Sequence, residues 1–160
     1  MKRNFRKFKS GFMMVEVLVA TSIIAVAVLS AMTVTQKSVQ VSRQAFHTSQ
    51  ATFLLEEGAE AVRIVRDNGW ASISGLTAGT EYYPTFSGGT WSLSSALNIV
   101  GIFTRTVSVE AVDRDDATSD ITSSGGTDDP ETKLVTVSVS WQEGGMTVEK
   151  SLQFYLMNIF

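Results

Sequence analysis

Apolar and polar positions divide this chain into stretches with different periodicities. Residues 12–35 form an apolar run that contains one charged residue, Glu16, and no Gly or Pro. A helix of 24 residues rises roughly 36 Å, which is enough to cross the hydrocarbon layer of a bilayer. The first stretch therefore predicts a membrane-spanning helix.

No helix breaker follows Thr35, and residues 36–66 continue in a helical style with amphipathic spacing. Apolar residues recur at steps of seven or eight and of three or four, which predicts one stripe on a helix surface. We expect this stripe to be buried against the domain that follows; it comprises Val39, Phe46, Phe53, Leu54, Ala61, Ile64 and Val65. Gly58 should weaken the helix by about 1 kcal/mol relative to Ala. Asp67-Asn68-Gly69 predicts its end.

After Trp70 the pattern changes to short segments with a period of two. Residues 81–86 and 90–93 are candidate strands, and residues 99–112, 133–141 and 146–156 alternate more clearly. The short link Gln142–Gly145 predicts a hairpin between the last two. The sequence thus predicts an α+β fold, in which one long N-terminal helix packs on a small antiparallel sheet.

Composition divides the chain further, because residues 113–132 are acidic and rich in Ser, Thr and Gly, which predicts an exposed loop. The expected organisation is a basic leader (1–11), a transmembrane half-helix (12–35), an amphipathic half-helix (36–69) and a β-rich head domain (70–160). One helix from residue 12 to 66 would be about 80 Å long.

Charge is segregated along the sequence. The first eleven residues carry five cations and no acid, so their net charge is +5. The rest of the chain has eight cations and sixteen acids, so its net charge is −8. An acidic bulk repels phosphate backbones, so no nucleic-acid partner is expected. Cations before an apolar helix keep that end in the cytoplasm, which places the head domain outside. The chain has no cysteine, which excludes disulfides, thiolate metal sites and cysteine nucleophiles.

The apolar run differs from an ordinary secretory signal, whose apolar core is about 7–15 residues long and is followed by the cleavage site. Here the best processing site, Gly11-Phe12, lies before the apolar run. Gly11 suits a protease cleft because it has no side chain and adopts extended conformations freely. Cleavage there would leave the apolar helix in the mature protein.

Gly11-Phe12-Met13-Met14-Val15-Glu16, followed by Val17-Leu18-Val19-Ala20, resembles the N-terminal signal of type IV prepilins and of type II secretion pseudopilins. That signal combines a basic leader ending in Gly, a cut before Phe and a Glu at mature position five, which is Glu16 here. The segment Thr132–Trp141 and the apolar strand after it are similar to minor pilins and minor pseudopilins.

The resemblance implies that a prepilin peptidase of the inner membrane cleaves the bond between Gly11 and Phe12 and methylates the amine of Phe12. It implies a single-pass inner-membrane precursor that later enters a cell-surface or periplasmic filament. The expected partners are the peptidase, other pilin or pseudopilin subunits and the inner-membrane assembly platform. No cofactor is implied.

Glu16 also has a physical argument of its own. An acid at the centre of an apolar helix costs roughly 2.5–3.5 kcal/mol to insert, so it is expected to have a function and a partner. The new amine of Phe12 is the natural candidate, and the resemblance places that amine on a neighbouring subunit. A desolvated pair adds little net stability but can fix a register. The alternative is an acid that merely extends to the membrane interface.

These observations favour a non-enzymatic structural subunit, a minor pilin of a type IV pilus or related filament. Alternatives within the family are a minor pseudopilin of type II secretion and a competence pilin. An alternative of another class is a membrane-anchored extracytoplasmic binding module. The sequence has no P-loop, G-x-S-x-G or H-E-x-x-H pattern.

Other polar residues are expected to be structural. His47, the only histidine, is predicted to be a solvated or helix-surface residue rather than a catalytic base or ligand. Glu56, Glu57, Glu60 and Arg63 are predicted to form a charged, solvated face with i,i+3 pairing. Trp70, Trp91 and Trp141 are predicted to pack in the core. Weak calcium candidates lie in the acidic loop, without the EF-hand spacing: Asp113, Asp115, Asp116 and Asp120.

Overall fold

The computed structural model describes residues 10–122 and 125–159, with side chains from Met13 onward. Residues 1–9 of the predicted leader lie outside this described part. The first element, α1 (Ser10–Asp67), is one helix of 58 residues. No Gly or Pro interrupts residues 12–57, which removes the usual causes of a break.

Helix α1 ends where the sequence predicted. The backbone N–H of Asn68 donates to the carbonyl oxygen of Ile64 at 3.0 Å, and that of Gly69 donates to Arg66 at 2.9 Å. Gly69 has a φ of 151°, which side chains disfavour, so the chain leaves the helix there. A short helix that the sequence did not predict, α2 (Ala71–Ser74), follows and buries Ile73.

The chain divides after Ala45 into two compact units. In the first unit every described side chain is exposed. The second unit, residues 46–160, contains the C-terminal part of α1, the short α2 and all the strands. Its strands are β1 (Tyr83–Ser87), β2 (Thr90–Ser94), β3 (Ile99–Val100), β4 (Phe103–Arg114), β5 (Ile121–Thr122), β6 (Thr127–Glu143) and β7 (Met146–Met157).

The strands form two antiparallel sheets. A two-stranded sheet pairs β1 with β2 around Gly88-Gly89, and a larger sheet has the order β3-β4-β6-β7, with β5 paired to β4. Tyr82 connects the two sheets by exchanging backbone hydrogen bonds of 2.8 Å with Val107. The predicted hairpin is confirmed: β6 and β7 pair over twelve residues across the Gly144-Gly145 turn. The fold is α+β, with the long helix packed on antiparallel sheet, as predicted.

The predicted acidic loop is wrong over much of its length. Strand β4 continues to Arg114, β5 occupies Ile121–Thr122, and β6 begins at Thr127. The register between β4 and β6 shifts between Ala111 and Asp113 and then resumes with Asp113 opposite Asp128. The polar composition of this segment therefore reflects an end of the sheet that faces solvent. Strands whose side chains are exposed on both faces can pair without alternating apolar residues.

The core lies between one face of the larger sheet and one side of α1. Every second residue from Phe103 to Val109 in β4 and from Val135 to Trp141 in β6 points into it. The helix contributes Ala51, Leu55, Gly58, Ala59, Ala61, Val62 and Val65. Trp141 is buried in this core, and Trp70 and Trp91 pack against it, which confirms the prediction for the tryptophans.

The helix stripe predicted to meet the sheet is only partly correct. Ala61 and Val65 are buried and Leu54 is half-buried, but Phe46 and Phe53 are 62% and 70% exposed. Val39 and Ile64 are also exposed. The buried side of α1 is built largely from small residues, which allow the helix to approach the sheet closely.

Candidate functional site

The N-terminal half of α1 is the most unusual surface of the molecule. Its described side chains are mostly apolar, and all of them from residue 13 to residue 45 are exposed. Of the helices in the described residues, α1 is the one long and apolar enough to cross a membrane. The chain therefore carries one candidate membrane-spanning segment, near its N-terminus.

Glu16 lies in this apolar surface, one helical turn after Phe12. Its side chain is exposed, and among the described residues no side chain pairs with it. The backbone of Gly11 and Phe12 belongs to the first turn of α1, whereas the side chain of Phe12 lies outside the described part. Within the described residues Glu16 is thus a carboxylate without a partner, on a surface suited to an apolar environment.

The hydroxyl groups on this half of α1 are satisfied within the helix. Thr21 and Ser22 donate hydrogen bonds to the carbonyl oxygens of Val17 and Leu18, at 2.9 and 2.6 Å. Ser30, Thr33 and Thr35 donate in the same way to carbonyl oxygens three or four residues earlier. These hydroxyls therefore need no partner outside the helix, and the helix surface is effectively apolar from residue 17 to residue 35.

The four calcium candidates do not converge on a common point. Asp115 accepts hydrogen bonds of 2.8 Å from the backbone N–H groups of Thr118 and Ala117, which lower the pKa of its carboxyl group. Asp116 accepts one from the Thr127 hydroxyl at 2.8 Å, and Asp113 belongs to the β4 ladder. The backbone oxygen of Asp120 accepts the Asp115 N–H. In the described part of the chain, no three acids or histidines form a group that could hold a metal ion.

Arg114 organises the same end of the sheet. Its Nε donates to Oδ2 of Asp129 at 2.6 Å, and its two other nitrogens donate to the Ser119 carbonyl and to the hydroxyl of the buried Thr132. The hydrogen bonds from Arg114 and Thr132 hold the pKa of Asp129 below its usual value, against the smaller opposing effect of burial. These acids fix the local backbone.

An ion pair between a buried arginine and an exposed glutamate connects α1 to the sheet, and the sequence did not predict it. Arg105 of β4 is only 3% exposed, and its Nη1 donates to Oε2 of Glu57 at 2.6 Å and to the carbonyl of Leu54 at 3.2 Å. Its guanidinium also lies 5.3 Å from the centre of the Trp91 ring. Glu57 was predicted to belong to a solvated charged face with i,i+3 pairing. It is exposed, as predicted, but it pairs with Arg105 of the sheet, whereas Glu60 forms the i,i+3 pair with Arg63. The sequence did contain one signal of this pair, because Arg105 is a cation at a position of the alternating strand that points inward.

An apolar groove lies between α1 and the turn that joins β3 to β4. It has a volume of about 470 Å³ and is lined by His47, Phe53, Leu54, Val100, Ile102 and Phe103, among others. His47 lies on the surface of α1, one of the two placements predicted for it, but its side chain is only partly exposed. Its ring packs edge-on against Phe103, and its Nδ1 lies 3.6 Å from Oε1 of Glu143, whose other oxygen accepts the Trp141 indole N–H.

Comparison with protein-family models, with curated proteins and with solved structures gave no match to this chain. Its function has to be argued from its own residues and geometry.

Proposed function

We propose that this chain is a structural subunit, a minor pilin, of a type IV pilus or a related filament such as a type II secretion or competence pseudopilus. A peptidase removes the leader by cleaving the bond between Gly11 and Phe12. The mature subunit is held in the inner membrane by the N-terminal half of α1, and the same half-helix then makes its contacts in the filament.

The observation that carries the proposal is the composition of α1. One helix combines an exposed, effectively uncharged surface with a C-terminal part that forms the base of a β-rich domain. A helix that served only as a membrane anchor would have no need to continue unbroken into the folded domain. A helix that is both a membrane span and a packing element suits a subunit that exchanges lipid contacts for protein contacts.

Glu16 supports the same function. Among the described residues it has no partner, and the apolar residues around it make an unpaired carboxylate costly in a bilayer or a filament core. Cleavage after Gly11 would create an amine at Phe12 in each subunit. Pairing between the Glu16 carboxylate and the Phe12 amine of a neighbouring subunit would compensate both charges and fix the stagger between subunits.

The direct test is the N-terminus of the mature protein. Protein isolated from native membranes or sheared filaments should begin at Phe12, carry a methylated amine and retain the apolar helix, as measured by intact mass and terminal peptide mass spectrometry. Gly11→Leu should block processing, because a side chain at this position obstructs the cleft, whereas the neighbouring Ser10→Ala should be processed normally. A mature protein that starts after residue 30 would show an ordinary signal peptide and refute the proposal.

A further inference from the structure

The groove beside Phe53 is an uncovered apolar surface on a folded domain. Phe53 forms one wall with Leu54, and the β3–β4 turn forms the other with Val100 and with Ile102, which is 52% exposed. Ile99 and Leu97 extend the exposed apolar surface along the chain before the turn. Contiguous apolar surface of this kind on a soluble domain marks a contact site.

Two of the residues that line the groove have polar side chains, Gln50 and His47, and Nδ1 of His47 is buried without a hydrogen-bond partner in the described part of the chain. His47 is the only residue with an ionisable side chain among those that line it, and that side chain packs against Phe103 beside Glu143. The groove therefore offers apolar contact without a free charge, so its occupant must also be uncharged and apolar over the length that it buries.

The chain itself contains a segment with this chemistry. Residues 17–36 of α1 carry no charge between Glu16 and Lys37, and their side chains are exposed. The hydroxyls of Thr21, Ser22, Ser30, Thr33 and Thr35 donate to the helix's own carbonyls, so burying them leaves no hydroxyl unpaired. The one amide side chain of the segment, Gln36, lies at its end. An apolar helix entering a hydrophobic groove is a recurrent mode of recognition.

We infer that this groove binds residues 17–36 of α1 from a second copy of the chain. The inference rests on the proposed function and names the contact by which the head domain takes part in assembly. Groove and helix segment are two different surfaces, so each copy can offer both at once. Such a heterologous contact does not pair two copies face to face; it adds copies one after another and, unless it closes into a ring, generates an open filament.

The absence of cysteine allows an unambiguous test in the full-length protein. Ile102→Cys in one tagged copy is combined with a single cysteine placed in turn at each position from 17 to 36 in a second copy. After co-expression and assembly, a short bis-maleimide should cross-link the two copies at positions that recur every three to four residues. The best positions should give at least tenfold more product than the intervening ones.

The matched control moves the first cysteine to Ser138, which faces the opposite side of the same sheet. This variant should give only background product with every position from 17 to 36. A flat, background profile for Ile102→Cys would overturn the inference. If the chain is still found in filaments in that case, the groove is no contact between copies, yet the proposed function stands; if the chain is absent from filaments, both fail.

A charge placed in the groove provides a second, independent measurement. Ile102→Glu should lower incorporation into filaments at least tenfold while the N-terminus is still processed at Phe12. Ser138→Glu should incorporate like the wild type. Equal incorporation of the two variants would show that another protein, or only solvent, covers the groove.

Discussion

Gly58 lies on the buried side of α1, where the helix contacts β4 and β6. A Cβ atom at this position would lie 2.7 Å from Cγ1 of Val137 and 3.1 Å from Cδ of Arg105. The sequence alone indicates only a residue that weakens the helix. In the structure its missing side chain allows the backbone of α1 to approach the sheet, and the closer packing offsets the lower helix propensity.

Arg105 shows a second limit of prediction at the residue scale. Its strand alternates clearly, and the residues two positions away on the same face are apolar, so the pattern would place an apolar side chain there. The guanidinium is accommodated because Glu57, the Leu54 carbonyl and the Trp91 ring surround it. Partners that lie about 50 residues away in the sequence cannot be identified from local spacing.

The Arg114–Asp129 pair predicts how stability depends on pH. The folded state lowers the pKa of Asp129 below its unfolded value, so the unfolded chain takes up protons first as the pH falls. Its contribution is therefore complete above the unfolded pKa of about 4 and is lost as the pH decreases through the folded pKa. Between pH 6 and pH 3, Asp129→Asn should show a shallower loss of unfolding free energy than the wild type.

Urea denaturation of the full-length protein in detergent at each pH measures this dependence. The exposed neighbour Asp128 lacks the contacts of Asp129 with Arg114 and Thr132, so Asp128→Asn serves as the control and should follow the wild-type curve. Parallel curves for Asp129→Asn and the wild type would contradict the assigned role of the pair.

At the scale of elements, the sequence was most informative about type and order. The long helix, its end at Asp67 and the strands with a period of two were predicted, because hydrophobic periodicity reports which side of an element is buried. The face of the helix was predicted less well. Phe46 and Phe53 are large and seven residues apart, which made them the strongest apolar signal in the segment.

The actual buried side uses Ala51, Ala59 and Ala61 with Leu55 and Val62. Small residues contribute little to an apolar periodicity, yet they are what a helix lying close on a sheet requires. An aromatic ring at Ala51 or Ala59 would hold the two surfaces apart. The exposed phenylalanines are therefore better explained by a contact outside the single chain than by its own core.

The observed burial of α1 predicts a large effect on stability for one substitution and a small effect for a neighbouring one. Leu55→Ala removes a buried side chain and should lower the unfolding free energy by about 2–5 kcal/mol. Phe53→Ala removes an exposed ring and should change it by about 0.5 kcal/mol or less. Chemical denaturation of the monomeric protein in detergent measures both, and a larger loss for Phe53→Ala than for Leu55→Ala would refute the observed orientation of α1.

At the scale of the whole molecule, the sequence separates into a cationic leader, an apolar helix and an acidic β-rich domain. The motif around Gly11 and Glu16 could be found from sequence because its residue types and spacing are local. The groove at the β3–β4 turn could not, because it forms only when residues 47–54 meet residues 100–103 in the folded domain. The proposed class of function thus rests on local chemistry, whereas the groove could be found only in the structure.

The central claim is that α1 assembles subunits through Glu16, and Glu16→Gln tests it most directly. Neutralising the residue removes an insertion penalty, so membrane levels and cleavage at Gly11 should match the wild type. The Phe12 amine of the neighbouring subunit would lose its partner, at a cost of roughly 3–5 kcal/mol, and the variant should fall at least tenfold in sheared filaments.

Glu60→Gln provides the matched control, because it neutralises an exposed glutamate of the same helix that pairs only with Arg63 on the surface. The measurement is the ratio of filament to membrane protein for both variants, expressed in the native host and quantified by immunoblot. The account predicts a strong decrease for Glu16→Gln and none for Glu60→Gln. A wild-type ratio for Glu16→Gln would contradict it.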